Sequence, residues 1–166
     1  MRTHEYSTNT TWTGNRGTGT SDYKAYDRAH VISIQGKPDI HGSSDASFRG
    51  DKTKHTPEDL FVTTLSTCHM LWYLHLCAVN GIIVTEYHDE AKGIMEEQND
   101  GGGSFKSVTL HPMVTITDPE KIEKAMQLHS EANKLCFIAR SVNFPVSHLP
   151  ECVAKPEQVA GHPLER

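Results

Sequence analysis

The stretch Thr56–Gly81, TPEDLFVTTLSTCHMLWYLHLCAVNG, decides the fold. From Leu60 to Val79 it carries no charged residue, and it holds two of the four cysteines of the chain. Both ends are marked. Thr56 suits an N-cap, Pro57 the first helical position, and Glu58 and Asp59 sit where the helix dipole favours acids. Asn80-Gly81 reads as a C-terminal stop. The spacing predicts a long buried central helix with Cys68 near its middle as a reactive thiol. Thr63, Thr64, Ser66, Thr67, His69 and His75 interrupt the run, so it does not read as a membrane span.

The chain of 166 residues has a formal charge of −5. Its pI is near 6.1 and its mean hydropathy is −0.51. These values fit a single domain over 1–166 and argue against general nucleic-acid affinity. The first eleven residues lack an apolar core of the signal-peptide kind, so the expected location is cytoplasmic. There thiols stay reduced, which disfavours a permanent disulfide framework. Cys68, Cys77, Cys136 and Cys152 show no CxxC pair, and no cofactor or metal is expected from their spacing.

On either side of the helix the pattern is mostly strand. Residues 10–23 read as a Gly-turned hairpin, with Arg16 inside the turn. Residues 28–35 alternate as a half-buried strand, and 40–55 form a long connection containing Arg49. After the helix, 82–97 and 105–117 should pair as one large antiparallel hairpin across Asn99–Gly103, with Pro112 at a bulge or edge. Asp118-Pro119 opens a second helix. Ile122, Ala125, Met126, His129, Ala132, Asn133 and Cys136 share one of its faces. Residues 143–149 read as a short final strand, and the tail from Pro150 as irregular. The sum is α+β with an antiparallel sheet. A helix apolar nearly all round needs cover on several sides, more than one such sheet supplies, so a homodimer is expected.

Cys68 lies eleven residues beyond Pro57, too deep for the dipole at the helix start to activate it. Activation needs a cation from elsewhere. A guanidinium is the obvious choice because it stays charged, and in a buried site it needs a carboxylate partner. Glu58 precedes Cys68 by ten residues, close to three turns, and projects from nearly the same face. Cys77 falls roughly opposite in phase and reads as core. Cys152, in the tail, has no role assigned.

These residues carry a resemblance. PEDLFVTTLSTCHM resembles the PEELxxAAxAxCF signature of the OsmC/Ohr family of peroxide-reducing proteins. TWTGNRGTGT is similar to that family's N-terminal W-x-G and T-G-G-R-x-G hairpin, and SFRG before the helix resembles its RFEG. The match covers most of residues 10–149. The resemblance implies an OsmC-like fold: antiparallel sheets around a central helix, in an intertwined homodimer. It implies a thiol peroxidase acting on organic hydroperoxides, and on hydrogen peroxide as a lesser possibility, with an external dithiol as reductant. Cys68 matches the peroxidatic cysteine and Cys136 the resolving one. Glu58 matches the family glutamate and Arg16 the arginine of the hairpin, with Arg49 in reserve. Two positions depart from the pattern: His69 replaces the usual Phe, and Phe137 replaces the Pro that usually follows the second cysteine. Phe48, Phe61, Met70, Trp72, Phe137 and Phe144 are candidates for an apolar peroxide pocket. The departures keep a non-catalytic binder of the same fold as an alternative. Metal binding, through Cys68 and His75 seven apart on one helix face, is a third reading.

Overall fold

The computed structural model describes residues 2–155. Within them the order is β1 (Asn9–Trp12), β2 (His30–Ser33), β3 (Ile40–Gly42), α1 (Pro57–Val79), β4 (Val84–Asp89), β5 (Lys92–Glu97), β6 (Gly103–Leu110), β7 (Pro112–Ile116), α2 (Ile122–Leu135), β8 (Val146–His148) and β9 (Glu151–Ala154). The chain divides into two compact units between Phe61 and Val62, inside α1.

In the first unit, β1, β2 and β3 form an antiparallel sheet in that order. The expected hairpin over 10–23 is corrected. β1 pairs with β2, Thr11 facing Val31, and the residues between are a long loop folded on its own side chains. Trp12 Nε1 donates to the Asp27 carbonyl at 2.8 Å. The Asn15 carboxamide accepts from the amides of Gly17 and Gly19, a local turn that competes with strand pairing. The Arg28 guanidinium lies 4.4 Å from the Tyr23 ring centre and 4.2 Å from that of Tyr26. It also donates to both their carbonyls.

The marked ends of α1 form as read. Thr56 Oγ1 accepts from the Asp59 amide and Asp59 returns a bond to the Thr56 amide, both at 3.1 Å. This reciprocal arrangement satisfies two otherwise orphaned donors. At the far end Gly81 takes φ +66°, and the Ile82 amide donates to the Cys77 carbonyl at 2.9 Å. A left-handed residue closing the last turn favours glycine.

The second unit holds two further sheets, ordered β4-β7-β9 and β5-β6-β8. The predicted long hairpin is present but breaks at its middle. Pro112 opens β7 instead of sitting within a strand, where its missing N–H costs no ladder bond. Asp89 secures the break, accepting from the His111 amide at 2.7 Å and from the Ser66 hydroxyl of α1. Glycine at 93 lets β5 run close to its neighbours: a Cβ there would stand 2.7 Å from a Val62 methyl and 2.8 Å from the Phe105 ring.

The all-antiparallel expectation also changes. β8 runs parallel to β6 and β9 parallel to β7, because α2 supplies the crossover that a parallel return requires. β9 covers Glu151–Ala154, so this part of the tail is not irregular. The remainder of the tail, from 156 onward, lies outside the described residues. Cys152 faces Val114 across the β7–β9 pair and packs on the core.

That core joins Tyr73 and Cys77 of α1 to Ala125, Leu128 and Ala132 of α2 and to Val114 and Ile116 of β7. Cys77 is a core residue, as its phase predicts. α1 is buried along the single stripe Leu65, His69, Tyr73 and Cys77. Leu71, on another face of the helix, is 63% exposed in this chain.

Candidate functional site

Cys68 and Cys136 meet in the second unit. Cys136 ends α2, its amide closing the last turn on the Ala132 carbonyl at 2.9 Å while its backbone turns extended. Cys68 stands close enough to act on its thiol. The Cys136 sulfur also accepts from the Ala139 amide at 3.4 Å. A short 3-10 turn at Ala139–Ser141 supports this bend, with the Arg140 amide on the Cys136 carbonyl at 3.0 Å. Burial, then the neighbouring Cys68, pushes the Cys136 thiol up to about 11, against the opposing amides of Ala139 and Ile138. Cys136 therefore keeps its proton at neutral pH. It is 1% exposed, whereas Cys68 is half-buried and is the more accessible sulfur.

An aromatic wall adjoins the pair. Trp72, one turn after Cys68, meets the Phe137 ring edge-to-face at 5.6 Å and the His75 ring at 5.8 Å. Trp72 and Phe137, two of the proposed pocket residues, thus touch. Phe144 instead stacks on Phe105 at 5.9 Å. His75 is engaged by Trp72, and among the described residues no group of three or more His, Cys, Asp or Glu is arranged to hold a metal ion.

Arg16 and Glu58 belong to the first unit and are described within it. The Arg16 guanidinium donates to the carbonyls of Ala25, at 3.2 Å, and Lys24, and stands 3.8 Å from the Asp27 carboxylate. It shapes its own loop. Glu58 Oε2 is buried with no hydrogen-bond partner among the described residues. An unpaired buried carboxylate oxygen is costly. Arg49 is exposed and holds φ +65°, the one non-glycine residue with positive φ among those described.

Three histidines escaped the sequence reading as a group. His69 Nε2 lies 3.0 Å from His129 Nδ1, and His148 stacks on His69 at 5.6 Å. Tyr73 stacks on His129 at 3.8 Å. The signal available was a histidine on the apolar face of each helix. Their convergence comes from tertiary packing that spacing does not reveal.

With this geometry the comparisons are informative. The OsmC-like protein family model matches residues 50–148, more than half of the chain. The chain belongs to the OsmC family. An OsmC-like protein of unknown function from Vibrio cholerae is 30% identical, with a TM-score of 0.81 over 90% of this chain and 100% of that one. An organic hydroperoxide resistance protein from Elizabethkingia anophelis superposes with a TM-score of 0.64 at 19% identity, covering 93% of this chain and 100% of its own. An organic hydroperoxide resistance protein from Legionella pneumophila gives 0.61 at 14% identity over 90% and 98%. The last two likenesses concern the fold alone. No curated protein matches the sequence. No helix among the described residues of this OsmC-family chain is long and apolar enough to cross a membrane.

Proposed function

We propose that this OsmC-family protein is a two-cysteine thiol peroxidase that reduces organic hydroperoxides in the cytoplasm. The observation that carries the reading is the meeting of Cys68, half-buried on α1, with the buried Cys136 at the end of α2, whose thiol it helps to push up. The Cys68 thiolate attacks the terminal peroxide oxygen, the O–O bond breaks, and the alkoxide leaves with a proton as alcohol. Cys68 becomes a sulfenic acid. The Cys136 thiol then condenses with it, forming the disulfide and releasing water. An external dithiol returns both thiols by exchange. The protonated state of Cys136 suits the resolving role, and the greater exposure of Cys68 suits the peroxidatic one. By the family resemblance, Arg16 is the cation this mechanism assigns to the thiolate and to the developing alkoxide, and Glu58 the carboxylate that would receive it.

The working unit in this reading is a homodimer. Leu71, Val79, Ile83 and Phe137 are all more than 60% exposed in the single chain, which a second copy would cover. The direct test is consumption of cumene hydroperoxide by the purified protein with a dithiol reductant. The reading expects turnover in the wild type and none in Cys68→Ser. Equal peroxide loss in both would reject it.

A further inference from the structure

We propose that His69 and His129 are a positioning pair that holds Cys68 and Cys136 beside one another. The proposal rests on the reading of the two cysteines as a redox couple. It begins from a relation between two helices. His69 follows Cys68 directly on α1, so the two side chains diverge by about 100° around the helix. On α2, His129 and Cys136 are two turns apart on one face. The hydrogen bond of 3.0 Å between the histidines therefore ties α1 to α2 beside the place where the two cysteines meet. It adds a directional polar joint to the apolar core that Tyr73 shares with Leu128 and Ala132.

The surroundings make the histidine joint stiff. Both rings are fully buried, at 1% and 0% exposure, and lie nearly in one plane, 8° apart. Tyr73 of α1 covers His129, and His148 of β8 lies against both histidines. His148 is itself within 3.4 Å of the Ser130 hydroxyl. His148 and the Asp89 carboxylate of β4 act on His69 in opposite directions, and Asp89 is bonded to Ser66 and to the His111 amide. The bond needs one bare ring nitrogen and one that carries a proton. Burial supplies this by keeping both rings neutral. A phenylalanine in place of His69 would fill the volume but leave His129 Nδ1 with no partner.

The test is the equilibrium of the Cys68–Cys136 pair with glutathione, in which two protein thiols and one oxidised glutathione give the protein disulfide and two reduced glutathiones. It needs no peroxide. His129→Leu removes the bond. His129→Asn keeps a polar atom at the Nδ1 position and supplies the rescue. Circular dichroism and urea unfolding select variants that remain folded, and His69→Leu replaces His129→Leu if the latter does not fold. The expected result is a shift toward the dithiol of about tenfold in His129→Leu, equivalent to about 30 mV for this two-electron couple. His129→Asn should return to within about twofold of the wild type, a difference of less than ~10 mV on the same scale. A folded Leu variant with an unchanged equilibrium overturns the proposal, as does a wild type that forms no Cys68–Cys136 disulfide under these conditions. A wild type that equilibrates normally but is inert to peroxide refutes the peroxidase reading and leaves the positioning role standing.

Discussion

Cys68 acts directly on the Cys136 thiol, although the two residues are 68 positions apart and come from different helices. One sulfur comes from the middle of α1 and the other from the extended residue that ends α2. Their contact depends on α2 being held against α1 by the Tyr73–Leu128 core, not on any local motif.

Replacing Cys136 by serine separates the two chemical steps. The variant should react once with peroxide and stop at the Cys68 sulfenic acid, trapped as a dimedone adduct by mass spectrometry. Dithiol-supported turnover should fall by about tenfold or more, at least about 1.4 kcal/mol in the barrier. Undiminished turnover would show that Cys136 does not resolve the intermediate.

Mild acid should destabilise the fold through the histidines. Burial pushes His69 down to about 4 and His129 to about 3. Above the ordinary histidine value, about 6.5, both folded and unfolded chains keep these rings neutral and the pair adds no pH dependence. As pH falls from there toward about 4, the unfolded rings bind protons and the folded ones do not. Stability then drops by about 1.4 kcal/mol per pH unit for each ring. Urea midpoints measured at pH 7 and pH 5 should show the fall, and the double variant His69→Gln, His129→Asn should flatten it.

Asp89→Ala should cost about 1.5–3 kcal/mol in urea unfolding, the range for bonds to a charged group. The carboxylate bonds the Ser66 hydroxyl and the His111 amide at the break between β6 and β7. A cost within experimental error would mean that water replaces it at both places.

Gly93→Val should destabilise by about 1–3 kcal/mol by overpacking. Val62 and Phe105 already occupy the space its side chain would need. Thermal unfolding reads this directly, and an unchanged midpoint would show that the neighbours can yield.

Light scattering at micromolar concentration should return the mass of two chains. A stable monomer would leave Leu71 and Phe137 facing water and would defeat the dimer reading.

The features legible in the sequence were the local ones. α1 was bounded by the Thr56–Asp59 exchange and by Gly81, each of which acts within a few residues. The phase of Cys77 followed from helix geometry. The parallel pairs β6–β8 and β7–β9 were not legible, because they depend on where α2 returns the chain. The 10–23 hairpin failed for a related reason. Arg16, Arg28 and Trp12 hold the loop to its own carbonyls and move the partner of β1 to residues 30–33. At the site, the cysteines were readable through their family resemblance. The histidine pair was not, since His69 and His129 are 60 positions apart and His69 stands where the family signature usually has Phe, with nothing in the spacing to pair it with His129.

The most direct measurement is intact mass and peptide mapping after one equivalent of cumene hydroperoxide. The peroxidase account predicts the loss of two hydrogens per chain and a single Cys68–Cys136 linked peptide. Cys68 recovered as a free thiol after that treatment would contradict it.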